Sequence, residues 1–158
     1  MNIHFVCTGN IYRSRLAEAY LRSKEIPNLR LSSSGIAADE VGFQQVSWYT
    51  ERLLKEAGIL KYESPHCIEV TAEILAKQDL IVFMEQVHLD YVREHLGYTG
   101  TNYEVWHVPD VTCGTEEQPK IVDASELLCR DMTEITFKDI RAKVDDLVKR
   151  LQQGKVKK

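Results

Sequence analysis

The sequence predicts an α/β fold: three layers, with a small four-stranded parallel sheet covered by helices on both faces. Three observations predict it. Apolar runs of strand length alternate along the chain with amphipathic helical stretches, the pattern of parallel strands joined by crossover helices. The run Leu80-Ile81-Val82-Phe83-Met84 is apolar without alternation, as in a strand buried on both sides. The first strand leads into Cys7-Thr8-Gly9-Asn10-Ile11-Tyr12-Arg13-Ser14 and then into a helix, so a tight glycine-bearing loop lies between a strand end and a helix start.

Taken in order, residues 2–6 form the first strand. The helix after Ser14 carries Leu16, Ala17, Ala19, Tyr20 and Leu21 as its apolar residues, with charges at Glu18, Arg22 and Lys24, and stops near residue 25, before Pro27. Residues 29–33 are a second strand, turning at Ser34-Gly35 into a loop of small residues, 36–42. Residues 44–57 are helical, with Val46, Tyr49, Leu53 and Leu54 on one side and Gly58 as the stop. Residues 62–69 are irregular, 71–77 a short helix capped by Thr71, 80–84 the buried strand, and 87–96 a helix ending at Gly97. Residues 103–108 are the fourth strand, broken by Pro109. Residues 109–133 are long and mostly polar, with Leu127 and Leu128 the best helical prospect. The last helix, about 135–151, has Ile135, Ile140, Val144, Leu147, Val148 and Leu151 as a stripe that packs on the sheet. No repeat or linker interrupts the chain, so residues 1–158 are expected to be a single domain.

At 158 residues the chain is long enough to bury about two thirds of its unfolded surface. Its 44% apolar and 28% charged residues are those of an ordinary soluble globule. No apolar run approaches the ~20 residues of a membrane span, and the first residues read as a strand rather than a signal peptide, so a cytoplasmic protein is expected, without a membrane partner. A formal net charge of −4 argues against a nucleic-acid partner, although Lys155-Val156-Lys157-Lys158 is locally basic. An anionic ligand must then be drawn by a local field. The four cysteines, Cys7, Cys67, Cys113 and Cys129, form no close pair, which is poor spacing for a metal site and fits thiols in a reducing compartment.

The loop supplies that local field. Successive loop N–H groups converge on one point, and the helix N-terminus adds roughly half a positive charge there. A thiol at Cys7 is expected to ionise readily in that field, and the Arg13 guanidinium offers a planar fork to two phosphoryl oxygens. This is a phosphate-binding loop after strand one, with a nucleophile at its start and a clamp at its end. Asn10 tolerates the left-handed backbone such a loop needs where it reverses, and the Ser14 hydroxyl can donate to the Cys7 sulfur.

Cys7-x-Gly9-Asn10-Ile11-x-Arg13-Ser14 behind an N-terminal strand resembles the signature of the low-molecular-weight protein tyrosine phosphatases. The resemblance implies phosphomonoester hydrolysis through a phosphocysteine, with Cys7 as nucleophile, Arg13 as clamp, and Thr8, Gly9, Asn10, Ile11, Tyr12 and Ser14 around the substrate. Such a reaction also needs a carboxylic acid to protonate the leaving oxygen and then activate water. Pro109-Asp110-Val111-Thr112-Cys113-Gly114 resembles the family's Asp-Pro-Tyr-Tyr-Gly loop in the place of Asp110 and Gly114, which makes Asp110 the acid and Asp123 the fallback. The family's loop-holding serine corresponds to Ser33, and its histidine to His66. Neither a metal nor a cofactor is expected. The partners implied are a phosphotyrosine-bearing protein or a small aryl phosphate, with inorganic phosphate as product.

Departures from the pattern shape the substrate. Tyr12 stands where many members have a second cysteine, and Arg15 where proline is common; Arg15 is expected to add charge at the mouth. Thr112 and Cys113 replace the two tyrosines that flank an aryl group, leaving Tyr12, Phe43 and Trp48 as candidate walls. Ile11 goes with the phosphotyrosine type in this family, whereas Thr there resembles the phosphoarginine type. Two other readings stay open: an arsenate reductase of the same fold, whose paired cysteines are missing from residues 79–95, and a phosphate- or phosphopeptide-binding module without catalysis.

Overall fold

A computed structural model describes residues 1–41, 46–110 and 122–156, of which 41 and 122–129 are described by backbone alone. The elements are β1 (Asn2–Cys7), α1 (Arg13–Arg22), β2 (Arg30–Gly35), α2 (Ala38–Val41), α3 (Trp48–Glu56), a 3-10 turn (Leu60–Tyr62), α4 (Ala72–Leu75), β3 (Leu80–Phe83), α5 (Gln86–Leu96), β4 (Tyr103–Val105) and α6 (Val122–Gln152). Among the described residues four strands pair, all parallel as expected, and their order is β2-β1-β3-β4.

Side-chain alternation explains the three layers. Ile3 and Phe5 of β1, with Leu80, Val82 and Met84 at β3, face Leu16 and Ala17 of α1, Leu54 of α3, and Phe137, Ile140, Val144 and Leu147 of α6. Val6, Ile81 and Phe83 face the other way, onto Leu75 of α4 and Leu89 and Val92 of α5. The central strands are buried on both sides, which is why β3 shows no polar alternation. The chain leaves β1 toward β2 and later returns on the far side as β3, so the order reverses between β1 and β3. In such sheets the crevice for ligands opens beyond the carboxyl ends of those two strands. Cys7 ends the first and Glu85 lies just past the second.

Several elements differ from the expected ones: α1 ends at Arg22 rather than near residue 25, and the loop expected at 36–42 contains α2. β2 continues through Gly35, which pairs with Cys7, instead of turning there. α3 starts at Trp48, because Ser47 caps it by accepting the Thr50 N–H. β4 stops at Val105: Trp106 and Val108 still donate to the carbonyls of Phe83 and Met84, but His107 between them is left-handed, with φ 53°, and breaks the strand. α6 begins at Val122, well ahead of residue 135, and so includes part of the polar stretch. Its buried face is Thr133, Phe137, Ile140, Val144 and Leu147, at steps of three and four, with Thr136 beside Phe137, and Ile135 lies off that series and is 69% exposed. No helix of the described residues is long and apolar enough to cross a membrane.

Candidate active site

The loop from Cys7 to Ser14 is held from below by the strand beside it. Ile36 N–H donates to the Cys7 carbonyl at 3.0 Å and Ala37 N–H to the Thr8 carbonyl at 2.9 Å, so the β2 pairing runs on into the loop. Gly35 is required at this contact: a Cβ there would stand 2.4 Å from the Thr8 carbonyl oxygen and 2.7 Å from the Asn10 nitrogen. On its outer side the Ile11 carbonyl accepts from Ser47 N–H at 3.0 Å and the Thr50 hydroxyl at 2.9 Å, which pins the loop to the start of α3. Among the described residues no side chain caps the start of α1 and no acidic residue lies in its first turn, so the N–H groups of that turn are left toward the loop.

Asn10 organises the interior. Its φ is 51°, the left-handed conformation expected of it. Ile68 N–H donates to Asn10 Oδ1 at 2.9 Å, and a backbone N–H is only ever a donor, so the amide orientation is fixed. Nδ2 then donates to Ser14 Oγ at 2.9 Å and to Ser33 Oγ at 2.8 Å. Ser14 Oγ lies 3.0 Å from Cys7 Sγ, and when the sulfur is a thiolate, which can only accept, Ser14 is the donor of that bond. Ser33 in turn donates to Glu18 Oε2 at 2.6 Å. Glu18 is buried rather than on a solvated face, and Arg22 one turn on, with the Ser64 hydroxyl, satisfies its other oxygen.

Arg13 is 1% exposed, and both of its Nη atoms are engaged. Its Nη1 donates to Glu85 and to the Val108 carbonyl at 2.9 Å, and its Nη2 to Asp110 Oδ2 at 2.7 Å and Thr8 Oγ1 at 3.1 Å. Nucleophile loop and candidate acid therefore meet, although Arg13 and Asp110 are 97 positions apart. The left-handed His107 after β4 is what swings Val108 and Asp110 back over the strand ends. Thr8 Oγ1 also lies 3.0 Å from His88 Nε2. His88 is fully buried, and burial followed by the Arg13 charge pushes its pKa down to about 4.

Several expectations need correction. The His66 side chain is exposed, and what it contributes is its carbonyl, which accepts from Arg15 Nη1 at 2.6 Å. Arg15 does not sit at the mouth: it is 1% exposed and turned into the 63–67 loop, on Glu63, the Ser64 carbonyl and, at 3.8 Å, Cys67 Sγ. Arg15 thereby supports Ile68, whose N–H orients Asn10. The Tyr12 ring is buried in the core and meets Tyr49 edge-on at 4.9 Å, so it is no wall for a substrate. Tyr49 stacks edge-on against the exposed Trp48 at 5.6 Å, and burial raises its phenol pKa, with the charges of Asp110, Cys7 and Arg13 also acting on it. Gly9 lies in the loop against Gly35. Phe43, Thr112 and Cys113 lie outside the described residues, as do the side chains of Asp123 and Cys129, whose backbones belong to α6.

Sequence reasoning missed Glu18, Gly35, Tyr49, Glu85 and His88. One signal was available for the last two. Glu85 follows the most apolar strand and precedes a helix, with His88 three residues on, and Glu85 N–H donates to His88 Nδ1 at 3.0 Å in a capping-box arrangement. Among the described residues no three His, Cys, Asp or Glu side chains gather as a metal site.

Comparison with known proteins agrees with this architecture. The profile of the low molecular weight phosphotyrosine protein phosphatase family matches residues 2–158. The chain is 37% identical over 102 residues to the low molecular weight protein-tyrosine-phosphatase PtpB of Staphylococcus aureus, a stretch covering 61% of this chain and 66%, just under two thirds, of that relative. It is 42% identical over 57 residues to a protein-arginine-phosphatase of Geobacillus stearothermophilus, covering 36% of this chain and 37% of that one. The fold matches a low molecular weight phosphotyrosine phosphatase from Vibrio cholerae O395 with a TM-score of 0.74 at 21% identity, over 98% of each chain. The profile match spans the loop, the sheet and the Asp110 segment together, and the chain belongs to the low molecular weight phosphotyrosine protein phosphatase family.

Proposed function

We propose that the protein hydrolyses phosphomonoesters, with phosphotyrosine on a protein as its substrate and inorganic phosphate as its product. The observation that carries the reading is the meeting of Cys7, Ser14, Arg13 and Asp110 beyond the ends of β1 and β3. The Cys7 thiolate attacks phosphorus, an S–P bond forms, and the P–O bond to the leaving group breaks. Loop N–H groups and Arg13 offset the charge on the equatorial oxygens. The Asp110 carboxyl gives its proton to the departing oxygen, then takes one from the water that breaks the S–P bond. Ser14 supports both halves, because a donor on sulfur stabilises the thiolate that attacks and the thiolate that leaves.

The Arg13 fork suits this sequence of events. Glu85 and the Val108 carbonyl hold Nη1 while Asp110 pairs with Nη2. An arriving phosphoryl oxygen competes for Nη2 and frees Asp110 toward the leaving group, with Nη1 still anchored. Tyr49 and the exposed Trp48 supply the aromatic side that Thr112 and Cys113 do not, which favours an aryl phosphate. The likeness to a protein-arginine-phosphatase supports phosphoarginine as the second reading. A thiol nucleophile must stay reduced, so we place the protein in a reducing compartment, the cytoplasm.

Turnover of p-nitrophenyl phosphate by wild type, Cys7→Ser and Asp110→Asn tests the reaction. Cys7→Ser is expected to abolish turnover and still bind phosphate, and Asp110→Asn to lower kcat by about 10²–10⁴-fold. Full activity in Asp110→Asn would move the acid role to Asp123. Comparing kcat/KM for phosphotyrosine peptides and phosphoarginine decides the substrate, and a preference for phosphoarginine overturns the aryl assignment.

A further inference from the structure

The hydrogen bonds of the Thr8 hydroxyl can be counted out among the described residues. Glu85 N–H donates to His88 Nδ1 at 3.0 Å, so Nδ1 is an acceptor and the neutral ring carries its proton on Nε2. Nε2–H therefore donates to Thr8 Oγ1 at 3.0 Å. Arg13, which has no acceptor, donates Nη2–H to the same oxygen at 3.1 Å. A hydroxyl oxygen accepts two hydrogen bonds, and both are now taken by groups that cannot accept one back. The Thr8 proton is left to the remaining tetrahedral direction, and Thr8 is itself partly exposed within the loop.

We propose that His88 and Arg13 lock Thr8 as an obligate hydrogen-bond donor to a phosphoryl oxygen in the loop, with His88 as a positioning residue that acts only through Thr8. The inference rests on the phosphatase reading for its substrate, but not for the anion contact itself. His88 suits the task because it keeps one tautomer and one charge: burial and Arg13 hold it neutral well below neutral pH, so the donor direction at Thr8 does not change over the working range.

The test is a double-mutant cycle on the intact chain, reading the Kd of inorganic phosphate by tryptophan fluorescence and kcat/KM for p-nitrophenyl phosphate. Thr8→Val is expected to weaken both about 10- to 100-fold, the worth of one hydrogen bond to a charged acceptor. Thr8→Ser recovers most of the loss. His88→Phe weakens both less than Thr8→Val does, and His88→Gln, whose amide N–H reaches the same oxygen, recovers them. Thr8→Val/His88→Phe should be no worse than Thr8→Val alone. Additive losses in the double variant overturn the claim that His88 acts through Thr8, and wild-type phosphate affinity in Thr8→Val overturns the donor. If His88→Phe does not fold, His88→Asn, which keeps an acceptor for Glu85 N–H but is too short to reach Thr8, completes the same cycle with Thr8→Val/His88→Asn. Wild type that binds phosphate but hydrolyses nothing defeats the phosphatase reading alone, because the affinity arm still decides the role of Thr8.

Discussion

Asn10 spends its whole amide on the loop: it accepts from Ile68, donates to Ser14 and Ser33, and turns the chain through a left-handed φ of 51°. These two services can be separated by substitution. Asn10→Ala loses the three hydrogen bonds and also suffers the left-handed backbone, whereas Asn10→Gly loses only the bonds. Asn10→Ala is expected to destabilise the fold by about 2–3 kcal/mol, with Asn10→Gly about 1 kcal/mol better, and both should lose much of their turnover because Ser14 is no longer aimed at Cys7. Urea denaturation and turnover measured on the same preparations check this, and a fully active Asn10→Gly would show that Ser14 needs no such orientation.

At the scale of elements, the site is made where β1, β2 and β3 end, and Gly35 is the tightest point of that junction. A methyl group there would strike the backbone of Thr8 and Asn10, which has no side-chain freedom to yield. Gly35→Ala is expected to cost about 1–3 kcal/mol as an overpacking substitution and to depress kcat more than its stability loss explains, because what moves is the loop itself. A Gly35→Ala protein with normal kcat at a temperature where it is fully folded would refute the close fit. The four strands and the Cys7 loop were legible in the sequence, because period and turn chemistry are local, whereas the order in which the strands pair was not read from it. Glu18, Glu85 and His88 were not: each looks like a solvated helix residue until partners 15, 72 and 80 positions away cover it. The start of α6 was hidden for the opposite reason, since residues 122–132 are helical without an apolar stripe strong enough to announce it. Arg15 sits in the first turn of α1, and its side chain reaches backbone carbonyls of the 63–67 loop.

For the molecule as a whole, two buried histidines join separate elements and set its response to acid. His4 on β1 lies 2.7 Å from Ser32 Oγ and 2.7 Å from Ser34 Oγ on β2, and His88 joins α5 to the loop. Burial pushes His4 down to about 4, and burial followed by Arg13 does the same to His88, against an ordinary value of 6.5. The unfolded chain then binds protons that the folded chain refuses, beginning near pH 6.5. Folding stability must fall as the pH drops from there toward about 4, by at most about 1.4 kcal/mol per pH unit for each histidine. The groups facing these rings do not reverse the sign, since His4 meets neutral hydroxyls and the Glu85 charge beside His88 is opposed by Arg13. Glu104 titrates in a separate window: burial raises it, the Arg150 and Trp106 hydrogen bonds outweigh that and hold it below its ordinary value, and its contribution is lost only at lower pH. Urea melts at pH 7 and pH 5 should therefore differ by on the order of 3 kcal/mol, and His4→Gln or His88→Gln should each remove about half of that difference. A stability that stays level between those two pH values would mean that both rings take up protons inside the fold, and the fixed tautomer on which Thr8 depends would fall with it.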